Sequence, residues 1–277
     1  MKSTIGFIGC GNMASAMIGG LIKSELFLPK NILCFDPIEG PRGMLAQKYG
    51  VSVLCSNKEV AVKSDYLVLA VKPYLYGKVL EEISESIKST VIIISIAVGV
   101  SFNDIKGILG EETKVIRTQP STPAFVGESD STICPDDQMV QEDILDIMAI
   151  FKSFGTVEII SEKLMEVVPG IASSAPAYAM LLIEAMADGG VLHGFPRDQA
   201  YRLSAQAVFG AAKLVLESGE HPGKLKDQIC TPGGTTIEAV RVLEAKGFRD
   251  AVISAVDACA QKSKSMGKKN KQNENLN

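Results

Sequence analysis

The sequence predicts an α/β protein, in which a doubly wound parallel sheet over residues 1–160 precedes an all-helical second half over residues 161–266. Short runs rich in valine and isoleucine alternate with helical patterns up to about residue 160. These runs are apolar at nearly every position, which is typical of parallel strands covered on both faces. After residue 161 no further run of this kind occurs, and helical patterns follow one another.

Eight segments have this strand composition. They are residues 5–8, 32–35, 51–53, 66–71, 91–96, 114–118, 131–134 and 157–160. Helices are expected between them, among them 75–87 and 138–154. One such helix begins at Ser56-Asn57-Lys58-Glu59, where a serine three residues before a glutamate has the spacing of a capping box.

The first strand runs into a G-x-G-x-x-A turn, Gly9-Cys10-Gly11-Asn12-Met13-Ala14. In such a turn the first glycine permits the tight bend, the second lets a pyrophosphate approach the backbone, and the alanine lets the next helix pack closely. The free N–H groups at the start of that helix face the phosphates. The strand, turn, helix and second strand form one βαβ unit of a Rossmann-type dinucleotide-binding domain. The predicted cofactor ligands here are Gly9, Gly11, Asn12, Met13 and Ala14.

Asp36 ends the second strand, where an acidic side chain accepts hydrogen bonds from the adenosine ribose. Its charge repels a 2′-phosphate, so Asp36 favours NAD over NADP as the cofactor. Arg42 is close enough in sequence to help bind a 2′-phosphate, which leaves the use of both nucleotides open. The alternative interpretation of Asp36 is a turn aspartate before Pro37.

Two further segments end strands of the predicted sheet, and ligands of open α/β sheets bind outside the carboxyl ends of strands. Ala70-Val71-Lys72-Pro73 ends the fourth strand, so Ala70, Val71, Lys72 and Pro73 are predicted to lie near the nicotinamide half of the cofactor. Residues 117–123 end the sixth strand, and their two prolines fix a turn at the mouth of the same crevice. The alternatives are a solvated lysine in the first segment and a rigid loop without a ligand in the second.

A second glycine cluster, Thr231-Pro232-Gly233-Gly234-Thr235-Thr236, precedes a helical segment. Exposed backbone N–H groups and three hydroxyls make such a segment a nest for a carboxylate or a phosphate. The alternative is a linker with a threonine N-cap. Pro232 argues against a flexible linker, so the pattern favours an anionic ligand.

Composition excludes several functions. The net charge of −4 argues against a nucleic-acid partner, and no uninterrupted apolar run reaches the roughly 18 residues of a membrane span. The six cysteines form no C-x-x-C pair, which together with a start that leads straight into a strand predicts a cytoplasmic protein with reduced thiols. With two histidines, no metal site is expected. The Cys10 thiol, at a helix N-terminus that lowers a thiol pKa, is interpreted as a bystander to the chemistry.

The helix predicted over 176–192 is apolar almost throughout, as is typical of a helix buried on every side. A domain as small as 161–266 does not offer that much cover, so we expect an obligate homo-oligomer. The alternative is the central helix of a monomeric bundle. Residues 267–277 are polar and low in complexity, which predicts a disordered tail.

These motifs, in this order, resemble the pyrroline-5-carboxylate reductase family over residues 4 to about 266. The segments that are similar to the family's signature are Gly210-Ala211-Ala212-Lys213, Glu217-Ser218-Gly219-Glu220-His221-Pro222, Leu225-Lys226-Asp227-Gln228 and Pro232-Gly233-Gly234-Thr235-Thr236. Residues 9–14 and 70–73 match the family's cofactor segments. The resemblance implies a Rossmann domain followed by a helical dimerisation domain, hence a homodimer through the C-terminal helices or a higher oligomer of such dimers.

The resemblance also implies the reaction, which is reduction of Δ1-pyrroline-5-carboxylate to L-proline with NADH or NADPH in proline biosynthesis. The implied substrate-binding residues are Thr231, Gly233, Gly234, Thr235 and Thr236. The Thr236 hydroxyl is implied to lie near the ring nitrogen as the catalytic group. An imine is protonated before hydride arrives, so this chemistry needs no histidine.

The chain departs from the family pattern in three places. Gln119-Pro120-Ser121 stands where the family has Met-Pro-Asn, Ala172-Ser173-Ser174-Ala175 where it has Ser-Gly-Ser-Gly, and Thr231 where it has serine. The first two departures leave open a paralogue that reduces a related cyclic imine or keto acid. A catalytically weak NAD(P)-binding regulatory protein is the other alternative, and the intact second glycine cluster argues against it.

Overall fold

A computed structural model describes residues 3–274, with side chains described for residues 3–266. Its strands are β1 (Ile5–Ile8), β2 (Ile32–Phe35), β3 (Ser52–Val53), β4 (Tyr66–Leu69), β5 (Ile92–Ser95), β6 (Lys114–Gln119), β7 (Ser129–Pro135) and β8 (Gly155–Ile159). Its helices are α1 (Asn12–Lys23), α2 (Glu39–Tyr49), α3 (Asn57–Lys63), α4 (Tyr76–Ile83), α5 (Phe102–Leu109), α6 (Gln141–Lys152), α7 (Glu162–Met165), α8 (Val168–Ile171), α9 (Ala175–Leu192), α10 (Arg197–Ser218), α11 (Pro222–Ile229), α12 (Thr235–Ala245) and α13 (Phe248–Glu274).

The strands form one sheet in the order β3-β2-β1-β4-β5-β6-β7-β8. The first six positions are the strand order of a doubly wound dinucleotide-binding sheet, and the prediction of that fold class is confirmed. The predicted sheet was parallel throughout, but β7 runs antiparallel to β6, with Gln119 opposite Thr132. The reason is the short connection after β6, which has no crossover helix and therefore returns the chain in the opposite direction.

Apolar side chains cover both faces of this sheet. Every residue of β1, β4 and β5 is buried. Along β1, Phe7 belongs to one hydrophobic cluster and Ile8 to another, because successive side chains of a strand point to opposite faces. The near-continuous apolar runs of the sequence follow from this double cover.

The chain divides into two compact units, which are described separately. One runs to Ser174 and takes in the chain from Ala258 onward, and the other is Ala175–Asp257. Residues 162–174 belong with the sheet, because the buried Arg117 guanidinium of β6 forms ion pairs with Glu162 at 2.8 Å and with Glu166 at 3.2 Å. The first unit thus extends beyond residue 160. The domain boundary between residues 160 and 161 stays a prediction.

The helix predicted to be buried on every side, α9, is largely uncovered in the single chain. Met180 is 62% exposed and Leu181 is 65% exposed. The segment Val168–Leu192 is also long enough and, on average, apolar enough to cross a membrane. Only 17% of its most apolar stretch is buried in the structure. Length and composition of one such segment are weak support for a span, and an apolar helix surface of this kind is equally suited to a protein interface.

The last helix continues to Glu274, so the structure assigns helix to most of the segment predicted as a disordered tail. Lysine, glutamine and glutamate have high helix propensity, and extending an existing helix requires no new nucleus. Residues 275–277 of the predicted tail lie outside the described residues.

Glu25, two residues after the end of α1, has an unfavourable backbone conformation. Its φ of 57° makes it the one residue other than glycine with a positive φ in the described chain. The bonds from Glu25 N to Ile22 O and from Leu26 N to Leu21 O close the helix around it, and glycine is the preferred residue at such a position. Glu25→Gly is expected to raise the free energy of unfolding by about 1 kcal/mol relative to Glu25→Ala, as measured by urea denaturation. Equal stability of the two variants would show that this φ carries no strain.

Candidate active site

The glycine turn lies where the strand order reverses, between β1 and its neighbours β2 and β4. The Gly9 N–H donates to the Phe35 carbonyl at 2.9 Å, and the Ala70 N–H donates to the Ile8 carbonyl at 2.8 Å. Gly9 has a φ of +97°, and a Cβ there would lie 2.6 Å from the Ala70 carbonyl oxygen. Both the backbone conformation and the close approach of β4 therefore require glycine.

The start of α1 has the features of an anion site. Gly11 is the N-cap residue of α1. No side chain caps the N–H groups at the start of the helix, and no acidic residue lies in its first turn. A Cβ on Gly11 would meet no protein atom within 4 Å, so the space in front of these donors is open. Asn12 is exposed beside it, Met13 packs against the core and Ala14 is fully buried. Uncapped N–H groups facing open space fit a pyrophosphate.

The Asp36 carboxylate is bound by the backbone on both sides. Its Oδ2 accepts from the Cys10 N–H at 2.9 Å, and its Oδ1 accepts from the Ile38 N–H at 2.9 Å. The second bond is the turn predicted as the alternative role of Asp36. The first bond was not predicted, and it ties the end of β2 to the glycine turn. The role of Asp36 as a ligand of the adenosine ribose stays a prediction.

Arg42 contacts the main chain of Asp36 and forms no ion pair with the Asp36 carboxylate within the described residues. Its Nη1 donates to the main-chain carbonyl of Asp36 at 3.2 Å. Its guanidinium carbon stands 5.6 Å from the centre of the Phe35 ring, within the range of a cation–π interaction. Both contacts hold the guanidinium at the carboxyl end of β2.

Cys10 has the environment of an unreactive thiol. The pKa of Cys10 is raised well above its ordinary value, because its thiol hydrogen-bonds with that of Cys34 and because it is buried. The expectation that the helix N-terminus lowers the Cys10 pKa is therefore wrong. Burial and the neighbouring thiol outweigh the helix dipole here, and a protonated thiol is a poor nucleophile.

The predicted nicotinamide segment follows β4. Ala70, Val71 and Pro73 are half-buried, while Lys72 is exposed. Sequence reasoning missed the residue that supports this segment, which is Tyr76. The Tyr76 hydroxyl is fully buried, donates to the Leu69 carbonyl at 2.7 Å and accepts from Ser95 Oγ at 3.1 Å. Burial raises the pKa of Tyr76, so its hydroxyl remains a donor and joins the carboxyl ends of β4 and β5.

The side chains at the end of β6 are used within the fold. Gln119 Nε2 donates to the Met165 carbonyl at 2.9 Å. Ser121 is buried; its N–H donates to Ser129 Oγ at 3.0 Å, and its hydroxyl accepts from the Asp130 N–H at 3.2 Å. These contacts agree with the rigid loop considered as the alternative for this segment. They also give the departure at Ser121 a structural role, since its hydroxyl anchors the loop to β7.

The second glycine cluster forms the turn before α12 in the helical unit. The Gly234 N–H donates to the Thr231 carbonyl at 3.0 Å, and Gly233 has a φ of +69°. A Cβ on Gly234 would lie 2.4 Å from Thr231 Oγ1, so any other residue here would require the Thr231 side chain to move. Gly234 is also the N-cap of α12, without a side chain that caps the helix.

Thr235 and Thr236 are the first two residues of α12, so their N–H groups are among the unpaired donors of a helix start. No acidic residue precedes Glu238 in the first turn. Within the described residues the hydroxyls of Thr235 and Thr236 form no hydrogen bond with the protein. The segment therefore has free N–H and O–H donors, as a carboxylate site requires.

Two family models match the chain. Residues 162–266 match the model described as pyrroline-5-carboxylate reductase dimerisation, and residues 4–99 match the model described as NADP oxidoreductase, coenzyme F420-dependent.

Sequence relatives match nearly the whole chain. The pyrroline-5-carboxylate reductase of Escherichia coli (strain K12) is 47% identical over 268 residues, covering 97% of this chain and 100% of the relative. The pyrroline-5-carboxylate reductase of Methanosarcina acetivorans is 42% identical, covering 96% of this chain and 98% of the relative. Among solved structures, the Plasmodium falciparum pyrroline carboxylate reductase with NADP bound is similar with a TM-score of 0.88 at 32% identity, covering 96% of this chain and 98% of that chain.

Proposed function

The chain belongs to the pyrroline-5-carboxylate reductase family, and we propose that it reduces Δ1-pyrroline-5-carboxylate to L-proline with NADH or NADPH. The observation that carries this assignment beyond a general dehydrogenase is the start of α12, where two glycines precede two threonines with free hydroxyls. The glycine turn after β1 supports nucleotide binding alone, since many unrelated enzymes share that turn.

The N-terminal unit provides the groups that hold the cofactor. The uncapped N–H groups of α1 bind the pyrophosphate, and the bare Cα of Gly11 allows its close approach. The carboxyl ends of β4 and β5, joined through Tyr76, support the nicotinamide half. When bound, the reduced nicotinamide supplies the hydride that reduces the C=N bond.

The turn before α12 provides the groups that hold the substrate. Its backbone N–H groups and the Thr235 hydroxyl bind the ring carboxylate, which orients the planar imine. The Thr236 hydroxyl donates to the lone pair that forms on the ring nitrogen as hydride adds to the carbon of the protonated C=N bond. Orientation and one polar donor are sufficient, because a cyclic imine gains its proton before reduction and needs no catalytic histidine.

The enzyme forms homo-oligomers, and its exposed α9 is the surface that association covers. The dimer is formed through the C-terminal helices, and dimers can assemble further through the remaining apolar surfaces. A second copy also accounts for the apolar segment Val168–Leu192 without a membrane. The proposed location is the cytoplasm.

Leu181→Glu is expected to convert the oligomer to a monomer at micromolar concentration, because it places an unpaired charge in a dry interface and weakens association by about 100-fold or more. Light scattering coupled to size exclusion measures the mass. Leu28→Glu is the matched control, since Leu28 is 57% exposed in the other unit, against 65% for Leu181. An unchanged mass for Leu181→Glu would place the interface elsewhere.

The reaction itself is tested with the purified chain, pyrroline-5-carboxylate, and NADH or NADPH in turn. The expected result is substrate-dependent loss of nicotinamide absorbance together with formation of proline. Absence of oxidation with both nucleotides would refute the proposed function. Oxidation with a keto acid but without the imine would favour a paralogue with another substrate.

A further inference from the structure

Resting on the proposed use of a nicotinamide dinucleotide, we propose that Tyr76 is a positioning residue for hydride transfer. Its hydroxyl heads a chain of buried hydrogen bonds that fixes the strand ends beside the proposed nicotinamide site. Tyr76 acts through the backbone of residues 69–75. Its role is therefore separate from that of the glycine turn, which we propose for the pyrophosphate.

The chain of hydrogen bonds crosses three neighbouring strands near their carboxyl ends. The Tyr76 hydroxyl donates to the Leu69 carbonyl at 2.7 Å and accepts from Ser95 Oγ at 3.1 Å. The Thr118 hydroxyl of β6 donates in turn to the Ser95 carbonyl at 3.1 Å. Leu69 and Ser95 are the last residues of β4 and β5 and lie side by side in the sheet. Because all of these groups are buried, water cannot replace the bonds, and the three strand ends keep a fixed spacing.

Tyr76 also closes the loop that precedes it. The loop leaves β4 after Leu69 and ends at Tyr76, the first residue of α4, so the bond between these two residues joins both ends of the loop. Within it, the Leu75 N–H donates to the Lys72 carbonyl at 2.9 Å. The Tyr76 ring belongs to the same hydrophobic cluster as Leu69, which restricts where the hydroxyl can lie. The segment 70–73, predicted to lie near the nicotinamide, is thus held at both ends.

A shift of Leu69 would reach the glycine turn. Ala70 follows Leu69 directly, and its N–H donates to the Ile8 carbonyl at 2.8 Å. A Cβ on Gly9 would lie 2.6 Å from the Ala70 carbonyl oxygen, so the two backbones are already in close contact. The Leu69 carbonyl therefore helps to set the spacing between the glycine turn and the loop after β4. Ligands of open α/β sheets bind at the carboxyl ends of such strands.

Hydride transfer depends on this spacing more than nucleotide binding does. Binding is shared among contacts along the whole dinucleotide, whereas the transfer rate depends on the distance and angle between two carbon atoms. A misplacement of about 1 Å can cost about 100-fold in rate. Removal of the Tyr76 hydroxyl leaves the Leu69 carbonyl and the Ser95 hydroxyl buried without this partner, so the loop between them is expected to relax.

The first test is Tyr76→Phe in the full-length enzyme. The enzyme–NADPH complex is mixed with pyrroline-5-carboxylate in a stopped-flow instrument, and a single turnover is followed. Hydride transfer per folded enzyme is expected to slow by about 10-fold, while the Kd for NADPH changes by less than about threefold. A transfer rate within about twofold of the wild type would refute the role of Tyr76.

Tyr66→Phe is the matched control. Tyr66 is also a buried tyrosine, but it stands at the first residue of β4, and its hydroxyl bonds to Asp146. Its loss should leave the transfer rate unchanged, because the carboxyl end of the strand keeps its partners. An equal loss of rate in Tyr66→Phe would show that any loosening of β4 slows transfer, which would contradict a specific role for Tyr76.

Ser95→Ala tests whether the bonds act as one chain. The double variant Tyr76→Phe/Ser95→Ala is expected to transfer hydride no more slowly than the slower single variant, because both changes interrupt the same chain. Losses that multiply would show that the two residues act independently and would refute the chain.

The fluorescence of bound NADPH gives a readout that needs no turnover. Its emission lifetime is expected to differ from the wild type in Tyr76→Phe, because a relaxed loop changes the surroundings of the nicotinamide ring, and to be unchanged in Tyr66→Phe. If the wild type reduces no imine but the lifetimes differ in this way, the role of Tyr76 stands and the proposed function is refuted. If the imine is reduced and Tyr76→Phe matches the wild type in both rate and lifetime, the role of Tyr76 is refuted and the function stands.

Discussion

Gly9→Ala is expected to destabilise the N-terminal unit by about 3 kcal/mol and to abolish nucleotide binding in consequence. The added Cβ would lie 2.6 Å from the Ala70 carbonyl oxygen, at a φ of +97° that alanine rarely adopts. Relief by movement is costly, because β4 pairs with β1 along its whole length. Urea denaturation measures the loss.

Gly11→Ala is the matched variant, because it makes the same change two residues away. Its φ of −74° suits alanine, and the added Cβ would contact no protein atom. Stability should therefore change by less than about 0.5 kcal/mol. Nucleotide affinity should fall by about tenfold or more, since the methyl group would enter the space that we propose for the pyrophosphate. Equal destabilisation by the two variants would contradict the open space at Gly11. Unchanged affinity in Gly11→Ala would place the pyrophosphate elsewhere.

Thr236→Ala is expected to lower kcat by about 100-fold with little change in the KM for the nucleotide. The physical reason is that the Thr236 hydroxyl is free in the described structure and stands at the second position of α12, where we propose that it donates to the ring nitrogen during hydride transfer. Removing the Thr236 hydroxyl should weaken stabilisation of the transition state. The contacts proposed between the N-terminal unit and the cofactor should stay intact. Steady-state kinetics with both substrates varied measures the two parameters.

Thr236→Ser is the control, because it keeps the hydroxyl and removes only the methyl group. Its kcat should stay within about threefold of the wild type. If Thr236→Ser is as slow as Thr236→Ala, the methyl packing matters and the donor role is refuted. A rise in the nucleotide KM equal to the loss in kcat would place Thr236 at the cofactor.

Most of the fold was predictable because strand positions depend on short-range pattern. The apolar runs of β1, β4 and β5 follow from burial on both faces. Of the capping box predicted at Ser56, the bond from Glu59 N to Ser56 Oγ is observed at 3.1 Å, whereas the Glu59 carboxylate accepts from the Cys55 N–H instead of the Ser56 N–H. The reversal at β7 was not predictable from composition, because parallel and antiparallel strands inside a covered sheet have similar residues. The length of the connection after β6 was the available signal.

The candidate site also has features that the sequence predicts and features that only the fold shows. The donors at the two helix starts could be recognised because their glycines and threonines are consecutive in sequence. The bond of Asp36 to Cys10 and the partners of Tyr76 and Gln119 could not, because those contacts join residues that are distant along the chain or lie in different strands. A carboxylate after the second strand can bind a ribose when its oxygens are free. It stabilises the turn when two backbone N–H groups donate to those oxygens, as they do at Asp36.

The sequence by itself determined the fold class and the family, and it predicted the two segments for which we propose anion binding, because each rests on local spacing of apolar residues, glycines and hydroxyls. The tertiary structure decided how the side chains between those segments are used. It tied the Asp36 carboxylate to the turn, gave Arg42 no carboxylate partner among residues 3–266 and showed α9 uncovered in a single chain. The reason is physical: hydrogen-bond partners and burial depend on which distant residues the fold brings within 3 to 4 Å, and no pattern within one segment encodes that distance.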